Sequence, residues 1–286
     1  MKKIVLVYNA KAGGYSSIKE LQKEFADSSF DIIDSIKIEP GFESFLERYI
    51  KRGEIIAVVG GDGSISAVAN LLKDTDAVLM PLPGGTLNHF TKDLGVPQSL
   101  PDALAYFTSA KKAKIDTGQV GDKIFINNSS IGLYSDALLD RDEHKEKYGK
   151  WPAMIVSILV AFFRFRTYSV EIGGKKYSTP LIFVGNNKYI LNGLVFQRSK
   201  LDEGRLSIYI VIGTSRWNLF WASISLISGK KNVSKKLKSF STKNVVITAD
   251  KPIRVSRDGE HERMTSPLKY RVNESSLYVL QGHVEK

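Results

Sequence analysis

The sequence predicts two domains, an N-terminal parallel α/β domain and a C-terminal antiparallel β-sandwich. Over the first 114 residues, apolar runs alternate with helical patterns, which indicates βαβ units and a parallel sheet covered on both faces. After residue 114 the chain changes to short runs rich in Val, Ile and Tyr that are separated by turn signals, as in an antiparallel sheet. A chain of 286 residues is long enough for two domains.

The first domain is assigned to residues 1–114 and follows this alternation in order. Short apolar runs read as strands, and apolar residues at helical spacing read as helices. Strands are predicted at "IVLVYN", "FDIIDSIKI", "IIAVVGG" and "AVLMPLPGG". Helices are predicted near residues 17–26 and 42–52, and at "SISAVANLLK", "TLNHFTKDLG" and "LPDALAYFTSAKK".

The second domain is assigned to residues 115–286, and the last strand is allowed to return to the first domain. Turns are expected at Gly121-Asp122, Gly173-Gly174 and Asp258-Gly259. Helical segments are predicted near residues 151–164 and 216–228. Strands are predicted at "YSVEIGGKKYS", "PLIFVGNN", "RLSIYIVIG", "NVVITA" and "PIRVSRDG".

The composition excludes several kinds of chemistry and indicates a cytoplasmic protein. The chain has no cysteine, which excludes disulfides, thiolate nucleophiles and cysteine-ligated zinc. Its first residues read as a β-strand rather than a secretory leader. The longest apolar run, residues 151–163, falls short of the ~20 residues that a membrane-spanning helix needs.

The positive charge is concentrated late in the chain. The net charge is +11, and residues 204–249 contain eight basic residues and no acid. Such a patch favours an anionic lipid surface or a phosphate-rich polymer, with a solvated face as the alternative.

Two segments could contact a membrane surface. Apolar and aromatic residues at helical spacing in 217–227 precede the lysines of 230–238, and the run 151–163 also has basic neighbours. We expect peripheral membrane association; the alternative is that both helices pack on the sandwich. No groove-reading motif indicates a specific nucleic acid partner.

Three glycine-containing loops follow predicted strands of the first domain, at residues 9–14, 60–64 and 83–88. Ligands of open parallel sheets bind beyond the carboxyl ends of the strands. Glycines let the backbone N–H groups approach a phosphate, and the following helix dipole favours its charge. Asp62 within the second loop indicates a divalent cation beside that phosphate. We therefore predict a site for Mg²⁺ and a nucleoside triphosphate.

The stretches "GGDGSIS", "PLPGGTLNHFTKDLG" and "SRDGE" resemble the diacylglycerol kinase catalytic family, in particular its soluble bacterial lipid kinases, which are related to sphingosine and ceramide kinases. The resemblance covers residues 9–260. It implies an N-terminal domain like those of NAD kinase and phosphofructokinase, and a C-terminal β-sandwich. It also implies ATP and Mg²⁺ as cofactors and a membrane lipid, by default diacylglycerol, as the acceptor that becomes phosphatidic acid.

The resemblance also implies roles for individual residues. Glu260 corresponds to the family's proposed general base, and Asp62 lies on the side of the catalytic magnesium. Accepting a proton from an attacking hydroxyl suits a carboxylate, although "DGE" is also typical of a solvated hairpin turn. The residues expected to hold ATP are Asn9, Lys11, Gly60, Gly61, Asp62, Gly63, Ser64, Gly84, Gly85, Thr86 and Asn88.

Further metal contacts follow from the same resemblance. Asp116 corresponds to an aspartate of the carboxylate and metal network. The loop "KLDEGRL" resembles a loop that binds a structural Mg²⁺, here through Glu203 and the carbonyl groups of Lys200 and Arg205. Glu203 replaces a family aspartate, and its longer arm is expected to weaken that site. His89 also stands where many members have aspartate, so one network carboxylate is missing.

Alternative functions remain open from the sequence. An NAD kinase would follow the glycine turn with an Asn-Glu pair, whereas this chain has Asn127, Asn128 and Ser129. A kinase of sphingoid or other lipids is a second alternative. A noncatalytic nucleotide-binding protein at the membrane is a third, motivated by His89 and Glu203. The oligomeric state is undetermined, with a homodimer among the alternatives.

Overall fold

A computed structural model describes residues 1–10, 17–132, 166–192, 195–198, 200–212, 215 and 237–282. The chain divides into two compact units. Unit 1 comprises Met1–Thr117 and Asn273–Lys286, and unit 2 comprises Gly118–Val272. The predicted boundary after residue 114 lies three residues before this division, within a strand that contributes to both units.

Unit 1 is built on a parallel sheet, as predicted. The strands are β1 (Lys2–Tyr8), β2 (Phe30–Lys37), β3 (Ile55–Gly60), β4 (Val78–Pro83) and the end of β18 (Leu268–Gln281), in the order β2-β1-β3-β4-β18 with every pair parallel. The helices are α1 (Ile18–Ala26), α2 (Phe42–Ile50), α3 (Asp62–Leu72), α4 (His89–Asp93) and α5 (Leu100–Thr108). All six residues of β4 are buried, as expected for a strand covered on both faces.

Local sequence signals set several helix ends. Ser17 caps α1 by accepting a hydrogen bond from the N–H of Glu20 at 3.3 Å, and Ser99 caps α5 in the same way through Asp102. The helix predicted at "LPDALAYFTSAKK" is shorter than expected, since α5 ends at Thr108 and β5 (Lys111–Val120) follows. β5 pairs with β18, so strand pairing overrides the local helical pattern there.

Unit 2 contains antiparallel sheets, which confirms the predicted fold class. One sheet has the order β14-β13-β10-β7-β16-β17, and the other joins the start of β18 to β15, β8 and β9. The additional strands of this unit are β6 (Lys123–Phe125), β7 (Asn128–Gly132), β8 (Tyr168–Ile172), β9 (Lys175–Thr179), β10 (Leu181–Asn186), β11 (Tyr189–Asn192), β12 (Val195–Arg198), β13 (Leu206–Val211), β14 (Leu237–Thr242), β15 (Asn244–Ala249), β16 (Ile253–Arg257) and β17 (Glu260–Met264).

The core of unit 2 is formed by apolar side chains from both sheets, including Val184 and Ile208 of one and Val170 and Ile247 of the other. Tyr270 is also buried in this core, and its hydroxyl is 3.0 Å from that of Ser129. Burial raises the pKa of Tyr270 well above its ordinary value, so its hydroxyl stays protonated and hydrogen bonded.

The predicted turn at Gly173-Gly174 joins β8 to β9, and the turn at Asp258-Gly259 joins β16 to β17. All four residues have positive φ, the conformation that two-residue hairpins favour. The helical segments predicted near residues 151–164 and 216–228 lie outside the described residues. No helix in the described part of the chain is long and apolar enough to span a membrane.

Candidate active site

The two glycine turns of unit 1 lie in direct backbone contact. β3 ends at Gly60 and β4 at Pro83, and the Gly84 N–H donates to the Gly60 carbonyl at 3.0 Å. A Cβ on Gly84 would lie 2.7 Å from the Gly60 nitrogen, and one on Gly85 would lie 2.5 Å from the Gly61 Cα. Gly84 and Gly85 are therefore needed for the two turns to pack on each other, a role of glycine beyond the approach to phosphate that the sequence predicts.

The first backbone N–H groups of α3 have no acceptor within the helix. The helix begins at Asp62 with Gly61 as its N-cap, and no side chain caps it. Its first helical hydrogen bond runs from the Ile65 N–H to the Gly61 carbonyl at 3.1 Å, so the three preceding N–H groups fall outside the helical ladder. Residues 61–64 are only half-buried. This end of α3 has the properties of an anion site.

The Asp62 carboxylate connects one turn to the other. Its oxygens accept hydrogen bonds from the backbone N–H groups of His89 at 3.1 Å and Phe90 at 3.0 Å. Asp62 therefore supplies the acceptors that α4 needs at its own N-terminus. Mg²⁺ in nucleotide sites is bound by one or two carboxylates together with phosphate oxygens. A carboxylate beside the N-terminus of α3 is therefore a donor of the right chemistry for a magnesium site.

Asn88 shapes the second turn from within. It adopts a positive φ of 51°, and its Oδ1 accepts the N–H of Gly85 at 2.9 Å. Thr86 is exposed. Asn9 follows β1, and its Nδ2 donates to the Ser64 Oγ at 3.3 Å. The structure thus brings the end of β1 to the turn after β3. Lys11 lies outside the described residues.

Asp116 is a buried residue of β5, one position before the first segment of unit 1 ends at Thr117. Its side chain is 2% exposed, and its Oδ1 accepts the N–H of Ser275 at 2.8 Å. Ser275 has a positive φ of 49°, so the carboxylate stabilises an irregular point of β18. Within the described residues, no group of three or more His, Asp or Glu side chains is arranged to hold a metal ion.

Glu260 is the first residue of β17, immediately after the Asp258-Gly259 turn, and it is exposed. The preceding Asp258 is 9% exposed and faces inward. Its carboxylate accepts three backbone N–H groups, from Ile126, Asn127 and Asn128, at 2.7 to 3.0 Å. The motif "DGE" therefore combines a buried anchor with an exposed acid.

The loop predicted to bind a structural metal is closed by direct hydrogen bonds. The Glu203 carboxylate accepts the N–H of Lys188 at 2.9 Å, and the Glu203 N–H donates to Asn187 Oδ1 at 3.0 Å. The Asn187 N–H donates to the Arg205 carbonyl at 2.9 Å, and the Arg205 guanidinium lies 3.4 Å from the Glu203 carbonyl. The Glu203 carboxylate and the Arg205 carbonyl, two of the predicted metal ligands, thus already accept backbone N–H groups. These direct bonds favour a loop that closes without the predicted structural Mg²⁺.

Sequence reasoning missed Arg198 of β12. This side chain is 4% exposed and donates to the Ile126 carbonyl at 2.6 Å and to Asn127 Oδ1 at 2.8 Å. No local motif indicates a buried arginine in "VFQRSK". The sequence offered one weak signal of this burial, an arginine within a run of strand-forming residues. Charged residues are rarely buried unless they are hydrogen bonded.

Comparison with protein families finds two matches that together cover most of the chain. Residues 3–120 match the diacylglycerol kinase catalytic domain, and residues 136–281 match the YegS C-terminal NAD kinase beta sandwich-like domain. The second match spans about half of the chain.

Individual relatives and structures show the same likeness. A "Probable lipid kinase YegS-like" of Enterobacter sp. (strain 638) is 31% identical over 149 residues, half of each chain. "Putative lipid kinase SAS0691" of Staphylococcus aureus (strain MSSA476) is 26% identical over 287 residues, covering 93% of this chain and 88% of that protein. The crystal structure of a "putative diacylglycerol kinase" from Bacillus anthracis str. Sterne covers 98% of this chain and 97% of that chain, with 22% identity and a TM-score of 0.73. At 22% identity, the similarity to this crystal structure shows a shared fold.

Proposed function

Because the chain belongs to the diacylglycerol kinase catalytic family, with a YegS-type β-sandwich-like domain after the catalytic domain, we propose that it is an ATP- and Mg²⁺-dependent lipid kinase. Its acceptor is a lipid hydroxyl, in the first instance that of diacylglycerol, which becomes phosphatidic acid. The observation that carries this proposal is the pair of packed glycine turns, with Asp62 between them and the open N-terminus of α3 beside them.

In the proposed reaction, the acceptor hydroxyl oxygen forms a bond to the γ-phosphorus of ATP, and the bond from that phosphorus to the β,γ-bridging oxygen breaks. ADP leaves, and Glu260 takes the hydroxyl proton. The N–H groups at the start of α3 bind phosphate oxygens. Asp62 would hold Mg²⁺, which when bound neutralises charge on the phosphates.

We further propose that unit 2 meets an anionic membrane surface. Lys238, Lys243 and Arg205 are exposed, and Phe240 on the same strand as Lys238 is 40% exposed. Basic residues near an anionic bilayer contribute about 1 kcal/mol each. Sedimentation with anionic and neutral vesicles at low and high salt tests this proposal, and equal recovery with both kinds of vesicle would contradict it.

The decisive experiment for the function is transfer of label from γ-labelled ATP with Mg²⁺ into diacylglycerol, ceramide, sphingosine, monoacylglycerol and NAD. Glu260→Gln is assayed alongside, with Glu171→Gln as the control because Glu171 is an exposed acid of the same unit. We expect label in diacylglycerol that is lost in Glu260→Gln and retained in Glu171→Gln.

Other outcomes of this experiment have definite meanings. Label in a different lipid would show that the acceptor is that lipid rather than diacylglycerol, and that the reaction is still phosphoryl transfer to a lipid. Label in NAD would show that the acceptor was assigned to the wrong class. ATP binding without transfer to any acceptor would favour the noncatalytic alternative.

A further inference from the structure

The short segment 126–128 of unit 2 is held by hydrogen bonds on its N–H side. Asp258 accepts the N–H groups of Ile126 at 2.7 Å, Asn127 at 2.8 Å and Asn128 at 3.0 Å. Bonds from neutral donors to an ionised carboxylate are stronger than those between neutral groups. One side chain therefore fixes three consecutive peptide groups.

The same segment is held on its acceptor side by Arg198. The guanidinium donates to the Ile126 carbonyl at 2.6 Å and to Asn127 Oδ1 at 2.8 Å, and it reaches the Asn186 carbonyl at 3.3 Å. Tyr189 adds a hydrogen bond from its hydroxyl to the Asn127 carbonyl at 2.9 Å. An arginine carries donors only and is always charged, so it complements carbonyl groups as Asp258 complements N–H groups.

Asp258 also sets the backbone that leads to Glu260. Its own N–H donates to the Asn128 carbonyl at 2.9 Å. It has a φ of 46°, Gly259 has a φ of 94°, and Arg257 then pairs with Glu260 across the hairpin. Only Gly259 lies between the anchored Asp258 and Glu260, so the position of segment 126–128 constrains the position of the Glu260 backbone.

We propose that Arg198 and Asp258 are positioning residues for Glu260, acting from the two sides of segment 126–128. The proposal rests on the proposed function, in which Glu260 is the base. It gives a role to a charged side chain of β12 that is 4% exposed and lies outside every motif of the sequence. A proton acceptor misplaced by about 1 Å can lower a rate by about 10²-fold.

The test is a double-mutant cycle on lipid phosphorylation. The rate constants kcat are measured for the wild type, Arg198→Lys, Glu260→Asp and the double variant. Glu260→Asp keeps a carboxylate on a shorter arm, so its activity stays measurable. We expect Arg198→Lys to lower kcat by about 10- to 100-fold with an unchanged KM for ATP. In the Glu260→Asp background, Arg198→Lys should lower kcat much less. A carboxylate that is already displaced from its working position gains less from the positioning by Arg198.

Arg263→Lys is the matched control, because Arg263 is an exposed arginine of β17, the strand that Glu260 begins. It should leave kcat unchanged. Asp258→Asn provides a second variant, expected to repeat the result for Arg198→Lys. Circular dichroism and thermal unfolding establish that each variant is folded.

Each remaining outcome is informative. An equal loss from Arg198→Lys in both backgrounds, or no loss, would overturn the positioning role. Loss of folding in both Arg198→Lys and Asp258→Asn would overturn it too, because the two side chains would then serve the fold. Failure of the wild type to phosphorylate any lipid would instead refute the proposed function, so the two failures are distinguishable.

Discussion

The carboxylate of Asp62 accepts the backbone N–H of His89 at 3.1 Å, a contact between residues 27 positions apart. It joins the turn after β3 to the turn after β4, and the neighbouring N–H of Phe90 strengthens it. The part of His89 that takes part is its backbone, and its side chain is exposed. The substitution of histidine for the family's aspartate therefore leaves this contact intact.

Asp62→Ala should lower kinase activity more than His89→Ala. The first removes both the proposed magnesium ligand and the cap of α4, whereas the second keeps the backbone N–H. We expect a loss of about 10²-fold or more for Asp62→Ala and a destabilisation of about 1 kcal/mol from the lost cap. Steady-state kinetics and thermal unfolding check both effects, and an equal or greater activity loss in His89→Ala would contradict the ordering.

Gly84→Ala should disrupt the nucleotide site, because its Cβ would lie 2.7 Å from the Gly60 nitrogen. Overpacking of this kind costs about 1–3 kcal/mol, and we expect ATP affinity to fall as the turns separate. Gly41→Ala is the control, since that Cβ would meet nothing within 4 Å although φ is +88°. It should cost about 1 kcal/mol and leave ATP affinity unchanged, as measured by calorimetric titration. Equal ATP affinity in both variants would refute the prediction.

Tyr49→Phe should make unit 1 less stable at neutral pH but not in strong acid. The Tyr49 hydroxyl donates to Asp34 at 2.6 Å, and this bond, with smaller contributions from Ser35 and Arg48, lowers the pKa of Asp34. A lowered pKa stabilises the fold above the unfolded-state value of about 3.9. That stabilisation is lost as the pH falls through the lower folded-state pKa.

Thermal unfolding of the wild type and Tyr49→Phe across this range measures the effect. The melting temperature of the variant should be a few degrees lower at neutral pH, and the two curves should converge once Asp34 is protonated. A difference that stays constant down to the lowest pH would show that Tyr49 acts by packing alone.

The loop closed by Glu203 should be independent of magnesium. Its carboxylate is bonded to the Lys188 N–H, so nucleotide-free protein is expected to unfold at the same temperature in Mg²⁺ and in EDTA. Glu203→Gln should cost about 1 kcal/mol in both solutions, and Glu171→Gln should cost less. A rise in melting temperature with Mg²⁺ that is absent from Glu203→Gln would restore the structural metal site.

The sequence was informative wherever the signal is local. Hairpin turns at Gly173-Gly174 and Asp258-Gly259 follow from the residues themselves, because glycine and aspartate accept positive φ. The helix start at Ser17 and the alternation of strands and helices in the first half are local in the same sense. The likeness to the diacylglycerol kinase catalytic family also rests on short contiguous stretches that are visible in the sequence itself.

Long-range partners were determined only by the tertiary structure. No local pattern reveals that Gly84 must clear the backbone of Gly60, that Asp62 caps a helix 27 positions away, or that Arg198 reaches the carbonyl of Ile126 72 positions earlier. For the same reason β5 replaced the end of a predicted helix. Side-chain type determines which interactions a residue can make, but burial and strand pairing decide which of them form. A polar group that is removed from water must form hydrogen bonds with the groups that the fold places beside it.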